Sequence, residues 1–203
     1  ALLFRRDDAA RDAVGPDLFA ASARVPGASW LLLGLLIALL IAGTLQVGLL
    51  TDSYWTLSLP TLRADGVQEA LYRLAPFDAS RGEEGVTVQG VILIALLAAV
   101  GITAWRGLGR VDEGWSRATT AALSLVAFTM LVAALRVTPA SDGLSIGFTG
   151  KFFAVAALMA AISLAARRGL EAEAVQEWLW ETWRFVRQIF PLLIVGVFAI
   201  GAL

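Results

Sequence analysis

Long apolar runs without charge, separated by short charged stretches, constrain this chain more than any other feature. A helix needs about 20 mostly apolar residues to cross the hydrocarbon core of a bilayer. Four runs meet that length: 28–50, 86–105, 118–137 and 144–166. A fifth, 189–203, continues to the last residue. The chain is 58% hydrophobic and 16% charged. Ordinary soluble domains are about 25% charged, and a single soluble core has no room for this much apolar surface. The predicted fold class is therefore all-α: a polytopic helical membrane protein with about five transmembrane helices and one interfacial amphipathic helix. Residues 1–27 form a lead-in, and residues 28–203 form the transmembrane domain.

The arginines set a predicted orientation. With the N-terminus in the cytoplasm, the inner segments hold Arg5, Arg6, Arg11, Arg24, Arg106, Arg110, Arg117, Arg167, Arg168, Arg184 and Arg187. The outer segments hold only Arg63, Arg73, Arg81, Arg136 and Lys151. That excess inside is the direction of the positive-inside rule. The expected location is a prokaryotic cytoplasmic (inner) membrane, multi-pass, with the N-terminus inside. Trp30, Trp105 and Trp115 mark the predicted inner helix ends, and Tyr54 and Trp55 the outer end of the first. Rings at both interfaces form the usual aromatic belt.

Missing residue types narrow the chemistry. There is no Cys and no His, and Lys151 is the only lysine. Disulfides, thiolate nucleophiles and Ser-His-Asp systems are excluded within this chain. No zinc, haem or iron–sulfur site can be built from the usual ligands, so no metal or cofactor is expected. The formal net charge is −1, and no basic footprint points to nucleic acid. Carboxylate chemistry would have to use Glu83, Glu84, Asp112 or Glu113, which sit among charged neighbours in loops. No enzyme activity is expected.

Two connections have internal pattern. The outer loop 51–85 is broken at Pro60 and Pro76. Between them, residues 65–74 place Val67, Leu71 and Leu74 on one helical face. The expectation is a surface helix or plug that packs on the outer mouth, with a solvated loop as the alternative. Residues 170–188 are also amphipathic, with Val175, Leu179, Trp183, Val186 and Phe190 at helical spacing. Glutamates come early and arginines late, which suits the helix dipole. This stretch is predicted to lie in the cytoplasmic interface and then turn into the fifth run, with Pro191 in its first turn or kinking it. Small-residue rows, Gly34/Ala38/Ala42 and Ala157/Ala161/Ala165, permit close helix packing.

Within the spans no Asp or Glu lies near the middle, which argues against a carboxylate proton relay. The polar groups that do occur are Gln46, Gln89, Thr129, Arg136 and Lys151. All five fall in the outward half of the predicted topology. One reading makes them a tentative substrate path, an outward vestibule for a small polar or anionic solute. The other has the cations snorkel to headgroups and the glutamines bond to neighbouring helices.

At residues 180–203 the sequence resembles the predicted-permease family that includes organoarsenical exporters of the ArsP type. The resemblance rests on Glu181, Trp183, Arg184 and Arg187, then the I-F-P-L-L run 189–193, then Pro191, Gly196 and Gly201 in a Gly-spaced apolar helix. It implies a multi-helix permease that moves a small solute, with two related helix sets around a central path. In that family a Cys- and Pro-containing motif follows the helix that starts like Ile189. The expectation is that this chain is the N-terminal portion of a longer permease, partnered by the lipid bilayer, its solute and further transmembrane helices. The alternative expectation is a structural or accessory subunit of a larger membrane complex.

Overall fold

The computed structural model describes residues 27–60, 64–78, 80, 85–140 and 143–201. The expected lead-in 1–27, apart from Gly27, lies outside the described residues, as do Arg63, Arg81, Glu83 and Glu84. The protein is mostly helical, and four of its helices are long and apolar enough to cross a membrane.

Helix α1 spans Gly27–Thr44 and is followed, after three residues without helical structure, by a single turn, α2, Gly48–Thr51. Strand β1, Ser53–Leu59, leads to the short helix α3, Ala64–Leu74. Helix α4, Val88–Gly107, runs into a 3-10 turn, Leu108–Glu113, and then into α5, Arg117–Ala134. A hairpin follows, β2 Arg136–Ala140 and β3 Gly143–Thr149, then α6, Gly150–Gly169, and α7, Ala172–Gly201. The three strands form one antiparallel sheet in the order β1-β3-β2.

The α4–α5 hairpin is pinned at its turn. Thr119 is fully buried and its hydroxyl donates to the Gly107 carbonyl at 2.9 Å. Ser116 and Thr119 form a reciprocal cap, which satisfies donors at the α5 N-terminus that would otherwise be orphaned. The two backbones approach so closely here that a Cβ on Gly107 would lie 2.4 Å from the Ala118 oxygen.

In space the long helices form a row, α4 on α5, α5 on α6, α6 on α1. Its small core lies between α1, α5 and α6: Leu39, Ala134 and Val155, ringed by Met130, Leu131, Phe152, Leu158, Met159 and Ile162. A row buries far less than a closed bundle. Only 6–22% of the residues in the four membrane-length windows are buried. Leu40, Ile94, Leu97 and Ile102 are all more than half exposed. In water such surface would drive aggregation, whereas lipid or further helices solvate it at no cost. The row of small residues on α1 is not its closest contact, since a Cβ on Gly34 would meet nothing within 4 Å.

Several boundaries depart from the sequence reading. The fold is not all-α, because a sheet closes one end of the helix row. Residues 144–149 alternate Leu, Ser, Ile, Gly, Phe, Thr, a strand period that the apolar run beyond it conceals. The fourth long helix therefore starts at Gly150 and not at 144. The third ends at Ala134, so Arg136 lies on a strand and not at a helix end. The first run, 28–50, is interrupted at 45–47. The second, 86–105, starts as a helix at Val88 and continues to Gly107. The amphipathic stretch 170–188 and the fifth run do not meet at a turn; α7 is one helix with Pro191 inside it. The outer helix forms as predicted, but Val67 and Leu74 are exposed and Gln68 is its buried residue.

The tight turn yields a stability prediction. Gly107→Ala should destabilise the detergent-solubilised protein by about 1–3 kcal/mol, because overpacking moves backbone as well as side chains. Gly101→Ala, where a Cβ meets nothing within 4 Å, should leave the melting temperature unchanged or raise it. Thermal melts of both variants check this.

Candidate functional site

The polar residues singled out in the sequence collect at the sheet end of the helix row. There the C-termini of α1, α2 and α5 meet the N-termini of α4 and α6. Terminal carbonyls of a helix have no partner within it, and in a bilayer no water replaces one. Side chains take that role here.

Gln89, in the first turn of α4, is a two-way clamp. Its amide nitrogen donates to the Leu135 carbonyl at 2.8 Å and to Val132 at 3.3 Å, while its oxygen accepts from the Val137 N–H at 3.1 Å. One side chain thus ends α5 and starts β2. Gln68 on α3 repeats the device. It donates to the Val86 carbonyl at 2.9 Å and accepts from the Val88 N–H at 3.0 Å. Thr149 caps α6 by accepting from the Phe152 N–H, and donates its own hydroxyl to the Ala134 carbonyl at 2.6 Å.

The two cations serve the interrupted first run. Arg136 Nη2 donates to the Thr51 carbonyl, the last residue of α2, at 2.9 Å. Lys151 Nζ donates to the Gly43 carbonyl, in the last turn of α1, at 3.2 Å. Positive charge at a helix C-terminus is favourable by dipole as well as by hydrogen bond. Neither cation has a carboxylate within 4.0 Å among the described residues. The turn α2 lies against the start of α6, where a Cβ on Gly150 would stand 2.1 Å from the Leu49 oxygen. That same carbonyl accepts from the Tyr54 hydroxyl at 2.9 Å. Trp55 stacks on Phe148 across the sheet at 5.0 Å, and Phe152 meets Phe148 edge-on at 5.1 Å.

The remaining expected residues are more dispersed. Gln46 sits in the 45–47 interruption and is exposed. Thr129 is buried, with its hydroxyl turned back to the Leu125 carbonyl of its own helix at 2.8 Å. Pro191, Gly196 and Gly201 all lie on α7, well away from the clamps in sequence, and a Cβ on Gly196 would meet nothing within 4 Å. So Gln89, Arg136 and Lys151 share one end of the structure, while Thr129 lies within a helix and the α7 residues stand apart. Sequence reasoning missed Gln68, Thr149 and Gly150. A glutamine inside an otherwise ordinary amphipathic helix was the one available signal for Gln68.

The arrangement combines hydrogen-bond donors and two cations with one acid, Asp52, whose backbone carbonyl accepts from the Gly150 N–H at 3.2 Å. Among the described residues there is no cluster of three or more metal-ligating side chains.

Removing the clamp tests its structural share. Gln89→Leu takes the side-chain partner from the Leu135 carbonyl and the Val137 N–H and should cost about 1–3 kcal/mol. Gln46→Leu, exposed and without a hydrogen bond, should stay within about 0.5 kcal/mol of the parent. Denaturant or thermal unfolding in detergent reads both. No protein-family model, curated protein or solved structure matches this chain.

Proposed function

We propose that this chain forms part of a membrane permease that moves a small polar or anionic solute across a prokaryotic cytoplasmic membrane, N-terminus inside. The observation that carries the reading is the interrupted first run. Helix α1 stops at Thr44, three residues are unwound, and the helix resumes for one turn. Discontinuous membrane helices are where transporters bind their solutes, and this gap follows directly on the membrane-length helix Gly27–Thr44. Exposed Gln46 lies in this gap, and two cations without carboxylate partners hold its two sides. The likeness of residues 180–203 to the permease family supports the same reading. So does the open helix row, which leaves apolar faces for further transmembrane helices.

A second reading, an accessory subunit of a larger membrane complex, draws on a different observation. Gln89, Arg136, Lys151 and Thr129 all direct hydrogen bonds at backbone carbonyls, which is structural work.

Flux separates the two. The full polypeptide would be reconstituted in liposomes loaded with chloride, phosphate, arsenate or methylarsonate. The permease reading expects release of at least one solute faster than from empty vesicles. It also expects Lys151→Met to slow that release by about tenfold, the value of one lost charge-assisted hydrogen bond. Release no faster than the empty-vesicle leak, from protein shown to be folded, would favour the accessory subunit.

A further inference from the structure

We propose that the arginine-lined cavity at the end of the helix row opposite the sheet binds the phosphodiester headgroup of an anionic phospholipid. This stands independently of the transport reading. The cavity has a volume of about 430 Å³ and is lined by Trp105, Arg106, Gly109, Arg110, Trp183 and Arg187. Three guanidiniums from two separate parts of the chain meet there, and no acidic residue lines it.

The arginines are available. Arg106, Arg110 and Arg187 are exposed and make no ion pair among the described residues. Their neighbour Arg184, by contrast, is engaged by Glu181 at 3.5 Å. Guanidinium offers a planar fork of donors that matches two phosphate oxygens at once. Arg187 is also held in place, its guanidinium carbon 5.9 Å from the centre of the Trp105 ring. Trp105 in turn meets Trp183 edge-on at 6.2 Å.

Trp183 supplies a further donor. It is only 9% exposed, yet its indole N–H makes no hydrogen bond to another described residue. A Cβ on Gly109 would lie 3.6 Å from that nitrogen. Gly109 and Trp183 line the same cavity, and the glycine adds no side chain beside that donor.

The apolar surroundings choose a lipid over a free phosphate. The cavity opens where the membrane-length part of α4 ends. Directly along that helix, Ile94, Leu97 and Ile102 lie on the same side as Trp105, over roughly three turns. All four are 59–66% exposed. A free phosphate has no use for such a stripe. A phospholipid places its acyl chains on it while its head reaches the arginines. Basic pockets between membrane helices with an interfacial tryptophan have this character.

The test is lipid titration of the full chain in a neutral detergent, read by native mass spectrometry. Phosphatidylglycerol should bind about fivefold or more tightly than phosphatidylcholine, the advantage of even one well-placed arginine near an anionic head. The triple variant Arg106→Gln, Arg110→Gln, Arg187→Gln should lose that preference. Arg167→Gln with Arg168→Gln, outside the cavity, should keep it. The parent protein alone can overturn the proposal, whether or not the triple variant folds, by showing no preference for phosphatidylglycerol. Preference surviving in a folded triple variant would remove the site from the cavity. Displacement of phosphatidylglycerol by millimolar inorganic phosphate would make the ligand a free phosphate, and the lipid assignment would fall.

Discussion

The pairing of helix-terminal carbonyls with side chains is the constraint on which this structure depends. The last carbonyls of a helix have no partner within it, so each needs a side chain, a neighbouring segment or water. At the sheet end the solution recurs. Gln89 serves α5, Arg136 serves α2, Lys151 serves α1, and Thr149 joins α5 to α6. Each bond also ties two segments that are distant in sequence. The same set of contacts therefore terminates the helices and fixes their mutual arrangement.

The sheet belongs to this scheme. Three strands satisfy one another's backbone where the helices stop; β1 joins α2 to α3, and β2 and β3 join α5 to α6. Trp55 and Phe148 of the sheet, with Phe152 of α6, form an apolar pad beside the clamps. The opposite end works by different means. There Val111 is fully buried and Trp183 nearly so, and α7 docks on the 3-10 turn that joins α4 to α5. Arginines at that end are left unpaired, so charge faces outward instead of being absorbed by carbonyls. One end of the row is closed by hydrogen bonds and the other remains chemically open.

The spans and the amphipathic character of 170–188 were legible because hydropathy and helical period are local properties. The cap formed by Ser116 and Thr119 was not among the sequence expectations and emerges from the structure. The strands were not legible, because residues 144–149 merge into the apolar run that follows, and composition alone does not separate a strand from the helix it enters. The interruption at 45–47 was hidden for the same reason. Leu45, Gln46 and Val47 would continue a helix readily, and what supports the break is the contact of α2 with the start of α6. For the site residues, sequence placed all five in one half of the protein. It left open whether the cations would line a solute vestibule or snorkel to headgroups, and neither reading had them reach carbonyls of another segment.

The sequence by itself determined that this chain folds through long apolar helices, roughly where they lie, and where charge concentrates. The tertiary structure decided the rest. It brought Arg136 to a carbonyl 85 residues away and Lys151 to one 108 residues away. It also set Trp183 against Trp105 and gathered three arginines around one cavity. The physical reason is range. Burial and helix formation are driven by neighbours a few residues apart, whereas the partner of a terminal carbonyl is whichever donor the packed helices carry to it.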